Sequence, residues 1–94
     1  MRISVVRSSG FAEPRRSVAL DDVQLAAEFG PAIQALAQLA RSQGRTRPGP
    51  VLRSQPHYVI TVQDAQGPVL LTLYESQVPP SLRPLLDEIM RYAG

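Results

Sequence analysis

His57 is the only imidazole in a chain that has no cysteine. A metal would have to be held by that one nitrogen and by carboxylates scattered along the sequence. Zinc and the other transition metals draw on several His or Cys ligands brought to one point. His57 is therefore read as a structural residue at a strand start, with no metal and no cofactor. Disulfides and thiol nucleophiles are excluded. Acidic residues stand side by side at Asp21-Asp22 and at Asp87-Glu88. The first pair suits a helix start; the second suits a solvated helix face, because consecutive residues on a helix diverge. Neither pair has the surroundings of a general acid and base. No phosphate loop, nucleophile elbow or dinucleotide fingerprint occurs, so the chain is not expected to be an enzyme.

Binding chemistry is more promising. All ten basic residues are arginines, set against eight acids for a net charge of +2. The sequence pI of about 9.7 reflects the late titration of guanidinium more than a large charge excess. Arg41, Arg45, Arg47 and Arg53 could form a basic patch for nucleic acid. The remaining arginines are dispersed and aromatics make up only 5% of the chain, so nucleic acid is not the favoured partner. Two apolar stretches stand out instead. Ser9-Gly10-Phe11-Ala12 places an aromatic on a turn, and Val78-Pro79-Pro80 places apolar groups on a backbone with little freedom to lose. Stiff apolar loops lose little ordering entropy on association, which favours a partner-binding role. The alternative is that Phe11 folds back to cap the core and that the prolines only steer the chain.

These residues are positioned by elements the pattern predicts. The central one is a hairpin over 58–75. Tyr58, Ile60 and Val62 alternate with Val59, Thr61 and Gln63; Asp64-Ala65-Gln66-Gly67 supplies the turn; Val69, Leu71 and Leu73 resume the two-residue period. The second strand is apolar on nearly both faces and is expected inside the sheet. An earlier hairpin pairs Ile3 to Val6 with Arg15 to Leu20, across Ser8-Ser9-Gly10 and Glu13-Pro14. Asp21-Asp22 signals a helix start, Val23 to Phe29 a turn or two of helix, and Gly30-Pro31 a fresh start. Ala32, Ile33, Leu36, Ala37, Leu39 and Ala40 then form a helical stripe, with Gly44 as its stop. Residues 43–56 read as a connector stiffened by its prolines, extended or partly mobile, and not as a second structured module. After Ser76 to Pro80, Ser81 is the N-cap candidate of a last helix. Leu82, Leu85, Leu86, Ile89, Met90 and Ala93 face the sheet there, opposite Arg83, Asp87 and Arg91.

The order ββαββα predicts an α+β fold: a four-stranded, mainly antiparallel sheet with two helices on one face. A length of 94 residues predicts one domain with a modest core. The 44% hydrophobic and 19% charged content is that of a globular protein. No apolar run approaches the roughly 20 residues of a membrane span. The start, Met1 to Arg7, is too short of apolar residues for a secretory signal, so a cytoplasmic monomer is expected. The Arg, Ala and Pro bias fits a GC-rich bacterial genome.

Three segments resemble the emfourin family, small bacterial protein inhibitors of thermolysin-like (M4) metalloproteases such as protealysin. They are Ser9-Gly10-Phe11-Ala12, where the family has a Gly-Gly-Phe-Ala-Gly-like turn; the strand Tyr58-Val59-Ile60-Thr61-Val62-Gln63-Asp64; and the tail from Glu75 through Val78-Pro79-Pro80-Ser81-Leu82-Arg83-Pro84-Leu85-Leu86. Ser9 and Glu13 stand where the family's turn has glycine, and Glu75 where it has aspartate. The resemblance implies an inhibitor, not an enzyme, whose partner is a thermolysin-like metalloprotease of the same cell. Ser9, Gly10, Phe11, Ala12, Val78, Pro79 and Pro80 are the candidate contact residues. The competing readings are a non-inhibitory interaction module using the same loops, and a weak nucleic-acid binder using the arginines from 41 to 53. Salt separates them: nucleic-acid binding collapses as ionic strength rises, whereas an apolar loop in a cleft is little affected.

Overall fold

Four stretches in which apolar residues recur at every second position pair into one sheet. A computed structural model describes residues 1–8, 15–44 and 55–93. The strands are β1 (Arg2–Ser8), β2 (Arg16–Asp21), β3 (His57–Asp64) and β4 (Gly67–Tyr74), and the helices are α1 (Gly30–Gln43) and α2 (Arg83–Met90). The element order is ββαββα, and the sheet runs β2-β1-β3-β4 with every pair antiparallel. β1 extends beyond the expected Ile3 to Val6 because it is central: β3 pairs with it from Arg2 to Ser8 and β2 from Arg2 to Arg7.

One expectation is corrected. β4 lies at the edge of the sheet, not inside it. Pro68, opposite Gln63, gives the reason, since proline cannot donate to a ladder on both sides and is confined to edges and strand starts. The apolar residues on both sides of β4 have a different origin. Leu71 and Leu73 are buried toward the helices, while Leu70 and Thr72 are half-buried on the other face.

The register places Ile3, Val5, Leu20, Tyr58, Ile60, Val62, Leu71 and Leu73 on one face, and all of them are buried. They form one cluster with Ile33, Leu36, Ala37 and Ala40 of α1 and with Leu85, Leu86 and Ile89 of α2. Both helices therefore pack on that face, each through residues spaced three and four apart. Burying a leucine or isoleucine side chain contributes about 1.5–3 kcal/mol, so this layer dominates the stability.

Between β2 and α1 the chain makes two short 3-10 turns, Asp22–Gln24 and Ala27–Phe29, in place of a first helix. Asp21 is the N-cap of the first, and its N–H donates to Gln24 Oε1 at 2.8 Å. Pro31 lies in the first turn of α1, as its geometry favours. At the other end Gly44 closes the helix in an extended conformation, φ −72°, and not in the left-handed one that usually selects glycine. Glycine is needed there for another reason: a Cβ would collide with the Ala40 carbonyl oxygen and with Val69 of β4. In the central hairpin Gly67 does adopt positive φ, +105°, immediately after Ala65-Gln66.

Asp64 ties that turn to α1. One carboxylate oxygen accepts the Gln66 N–H at 2.8 Å, and the other accepts from the Arg41 guanidinium at 2.8 Å. The Arg41 bond first, and then the Gln66 N–H, hold the carboxyl below its usual range. Arg41 is half exposed, so solvent screens the pair.

Two outcomes are expected. Gly44→Ala lowers stability by about 1–3 kcal/mol, the usual cost of forcing atoms into filled space, measured by urea unfolding. A depressed folded pKa contributes stability that is complete above the ordinary value of 3.8 and is lost as pH falls through the lower folded value. Asp64→Asn should remove that part of the acid dependence, measured as thermal midpoint against pH between neutrality and pH 3.

Candidate functional site

Antiparallel pairing gathers several chain ends at one rim. Ser8, the last residue of β1, pairs with His57, and His57 pairs with Tyr74, the last residue of β4. Arg16, the first residue of β2, lies opposite Arg7. The end of β1 and the start of β2 thus lie at the rim where β4 hands over to the tail. The expected contact residues Ser9, Gly10, Phe11 and Ala12 lie outside the described residues. The tail begins with a 3-10 turn, Glu75–Gln77, and the Arg7 guanidinium lies 3.6 Å from the Glu75 carboxylate.

Val78, Pro79 and Pro80 do not share one environment. Val78 is 5% exposed and belongs to the core cluster, so it anchors the tail and does not present a free apolar group. Its N–H donates to the Glu75 carbonyl at 3.4 Å, and the Leu82 N–H donates to the Pro79 carbonyl at 2.9 Å. The outward surface of this connector is Pro80, which is exposed, with Pro79 half-buried. Ser81 is exposed and is not the helix cap; α2 starts from Leu82, with no side-chain cap bond. Pro84 occupies the first turn of α2, where its missing N–H would have no helical partner anyway. Arg83 reaches back, and its guanidinium donates to the Glu75 carbonyl at 2.9 Å, closing the connector on itself.

His57 is buried, with Nδ1 2.9 Å from the Gln55 carbonyl oxygen and its ring edge-on to Tyr74, centroids 6.2 Å apart. That is a structural placement at the root of the rim. Asp87 is exposed, and Glu88 pairs with Arg91 at 3.3 Å, so this acidic pair does not converge. Of the arginines considered for nucleic acid, Arg41 is engaged with Asp64, while Arg45, Arg47 and Arg53 lie outside the described residues. Among the described residues no group of three His, Cys, Asp or Glu side chains is placed to hold a metal, and no helix is long and apolar enough to cross a membrane.

Among the hollows beside the connector, spacing in the sequence revealed neither of two. One, between the starts of the helices, is lined by Phe29, Pro31 and Ala35 of the α1 side and by Ser81 and Pro84. The other has Arg7, Arg16, Arg83 and Arg91 in its wall. Gly30-Pro31 and Ser81 each marked the approach to a helix, but only packing brings the two together.

What this rim offers is contact surface: a closed, proline-stiffened connector between an apolar hollow and an arginine-lined one. The chain belongs to the Emfourin family, whose family model matches residues 5–90, nearly the whole length. Members of that family are inhibitors and not enzymes, and membership points to a protease as partner, a metalloprotease among them. No curated protein and no solved structure matches the chain.

Replacing Arg83 by methionine keeps the apolar stem and removes the bond to Glu75. The expected result is a loss of about 0.5–1.5 kcal/mol, as for one hydrogen bond, with faster amide exchange at Val78 and Leu82 and little change in β1 or β3.

Proposed function

We propose that this chain inhibits a thermolysin-like zinc metalloprotease by filling its active-site cleft with stiff apolar connectors. The observation that carries the reading is the pairing of Ser8 with His57 and of His57 with Tyr74, which starts segment 9–14 and the diproline tail from a common rim. A cleft is gripped by two neighbouring projections more firmly than by one, because the second binds without a further loss of rotational freedom. Phe11 is the side chain we assign to an apolar subsite beside the protease's zinc, on the strength of the family turn around it. Pro80, outward on a connector closed by Arg83, is the second contact. Proline fixes φ and has no N–H to give, so the connector resists the extended pose that cleavage requires. Ser9, Gly10 and Ala12 shape the turn, and Pro79 shapes the connector. The proposed site of action is the cytoplasm, with the inhibitor as a monomer.

The test is steady-state inhibition of a thermolysin-type enzyme by the unaltered protein, by Phe11→Ala and by the double variant Pro79→Ala, Pro80→Ala. Truncating a central aromatic anchor costs about 2 kcal/mol or more, so Phe11→Ala should weaken inhibition roughly thirtyfold. The double variant should weaken inhibition and be cleaved on prolonged incubation. Equal inhibition by all three proteins would remove both connectors from the mechanism.

A further inference from the structure

The arginine-lined hollow at the rim has a sidedness that the two apolar connectors do not account for. Tyr58 and Met90 also line it, and around them stand four guanidinium groups against two carboxylates, Glu75 and Asp87. The charges are unevenly satisfied. Arg7 is held by Glu75 at 3.6 Å and lies over the Tyr58 ring, 5.9 Å from its centroid. Arg83 donates to a backbone carbonyl, which leaves its charge without a carboxylate partner among the described residues. Arg16 is exposed and makes no ion pair among those residues. Arg91 reaches Glu88 at 3.3 Å, but its side chain is 77% exposed, so the pair is weak and screened and the guanidinium can exchange to another carboxylate.

Arg16 and Arg83 have no carboxylate partner among the described residues, so the hollow keeps a positive potential, and its concave shape strengthens that potential relative to a flat surface. The tail that carries Pro79 and Pro80 runs directly into α2, whose Arg83 and Arg91 line the hollow, and β1 and β2, which frame segment 9–14, contribute Arg7 and Arg16. We infer that this hollow receives an acidic surface segment of the protease and steers the inhibitor onto its cleft. The inference rests on the inhibitory reading and adds the charge of the partner's surface beside the cleft. A short acidic protein segment fits better than a nucleic-acid backbone, because one or two carboxylates can reach Arg16 and Arg83 while staying clear of Glu75 and Asp87, which evenly spaced phosphates could not do.

Steering acts on association. Charges at the edge of an interface change the association rate and its salt dependence far more than the dissociation rate. Arg16→Glu and Arg91→Glu should each slow association with a thermolysin-type enzyme about three- to tenfold at low salt, with dissociation unchanged. The gap should close as salt rises toward 1 M, where the screening length falls to about 3 Å. Arg2→Glu is the control: it makes the same charge change at the exposed far end of β1. Equal slowing by all three variants would reduce the effect to net charge, and no slowing with inhibition intact would overturn the inference alone. Absence of inhibition by the unaltered protein would overturn both readings. Binding of a fluorescein-labelled DNA duplex, abolished by Arg16→Glu and Arg91→Glu, would assign the hollow to nucleic acid and overturn the inference.

Discussion

Burial of a single apolar layer between one face of a four-stranded sheet and two helices is the constraint on which the rest of this structure depends. Ile3, Val5 and Ile60 on the two central strands and Leu85 and Ile89 on α2 are wholly withdrawn from water. Because strand side chains alternate faces, choosing that layer also chooses the register: a slip of one residue would turn every one of the strand residues outward. The register in turn decides which chain ends meet. Ser8, His57 and Tyr74 stand in one row, and the start of the tail and the end of β1 are brought to one rim as a consequence of packing elsewhere.

The family motifs divide along the same line. In Tyr58 to Asp64 the odd-spaced residues Tyr58, Ile60 and Val62 are core, and Asp64 closes the turn while holding Arg41. In the tail Val78, Leu82, Leu85 and Leu86 are core, and Arg83 braces the connector. Most of what makes the chain recognisable is therefore scaffold. Around the diproline, Pro80, Ser81 and Pro84 are exposed, with Pro79 half-buried next to them. A short exposed set on a firmly anchored backbone has little entropy to lose on binding, which suits contact with another protein.

Arginine does two different jobs in this fold. Arg41 and Arg83 fasten loops by donating to Asp64 and to the Glu75 carbonyl, which exploits the planar, multi-donor guanidinium. Arg16 and Arg91 remain turned to solvent beside the same rim. Sequence alone does not separate these jobs, since neither spacing nor composition says which carbonyl or carboxylate a long side chain will reach.

Local chemistry determined a good deal of this protein before any packing was known. Two-residue and helical periods specified four strands, two helices and their order, Gly67 and Pro31 followed from backbone geometry, and the buried stripe of α2 followed from its spacing. Those features are legible because they depend on residues a few positions apart. Tertiary structure decided the remainder: that β4 is an edge, that Val78 turns inward, that Gly44 is required by its closeness to Val69, and that the two helix starts and four distant arginines share one rim. Each of these depends on which residues far apart in the chain come into contact, and that is settled only when the apolar layer closes and fixes the strand order.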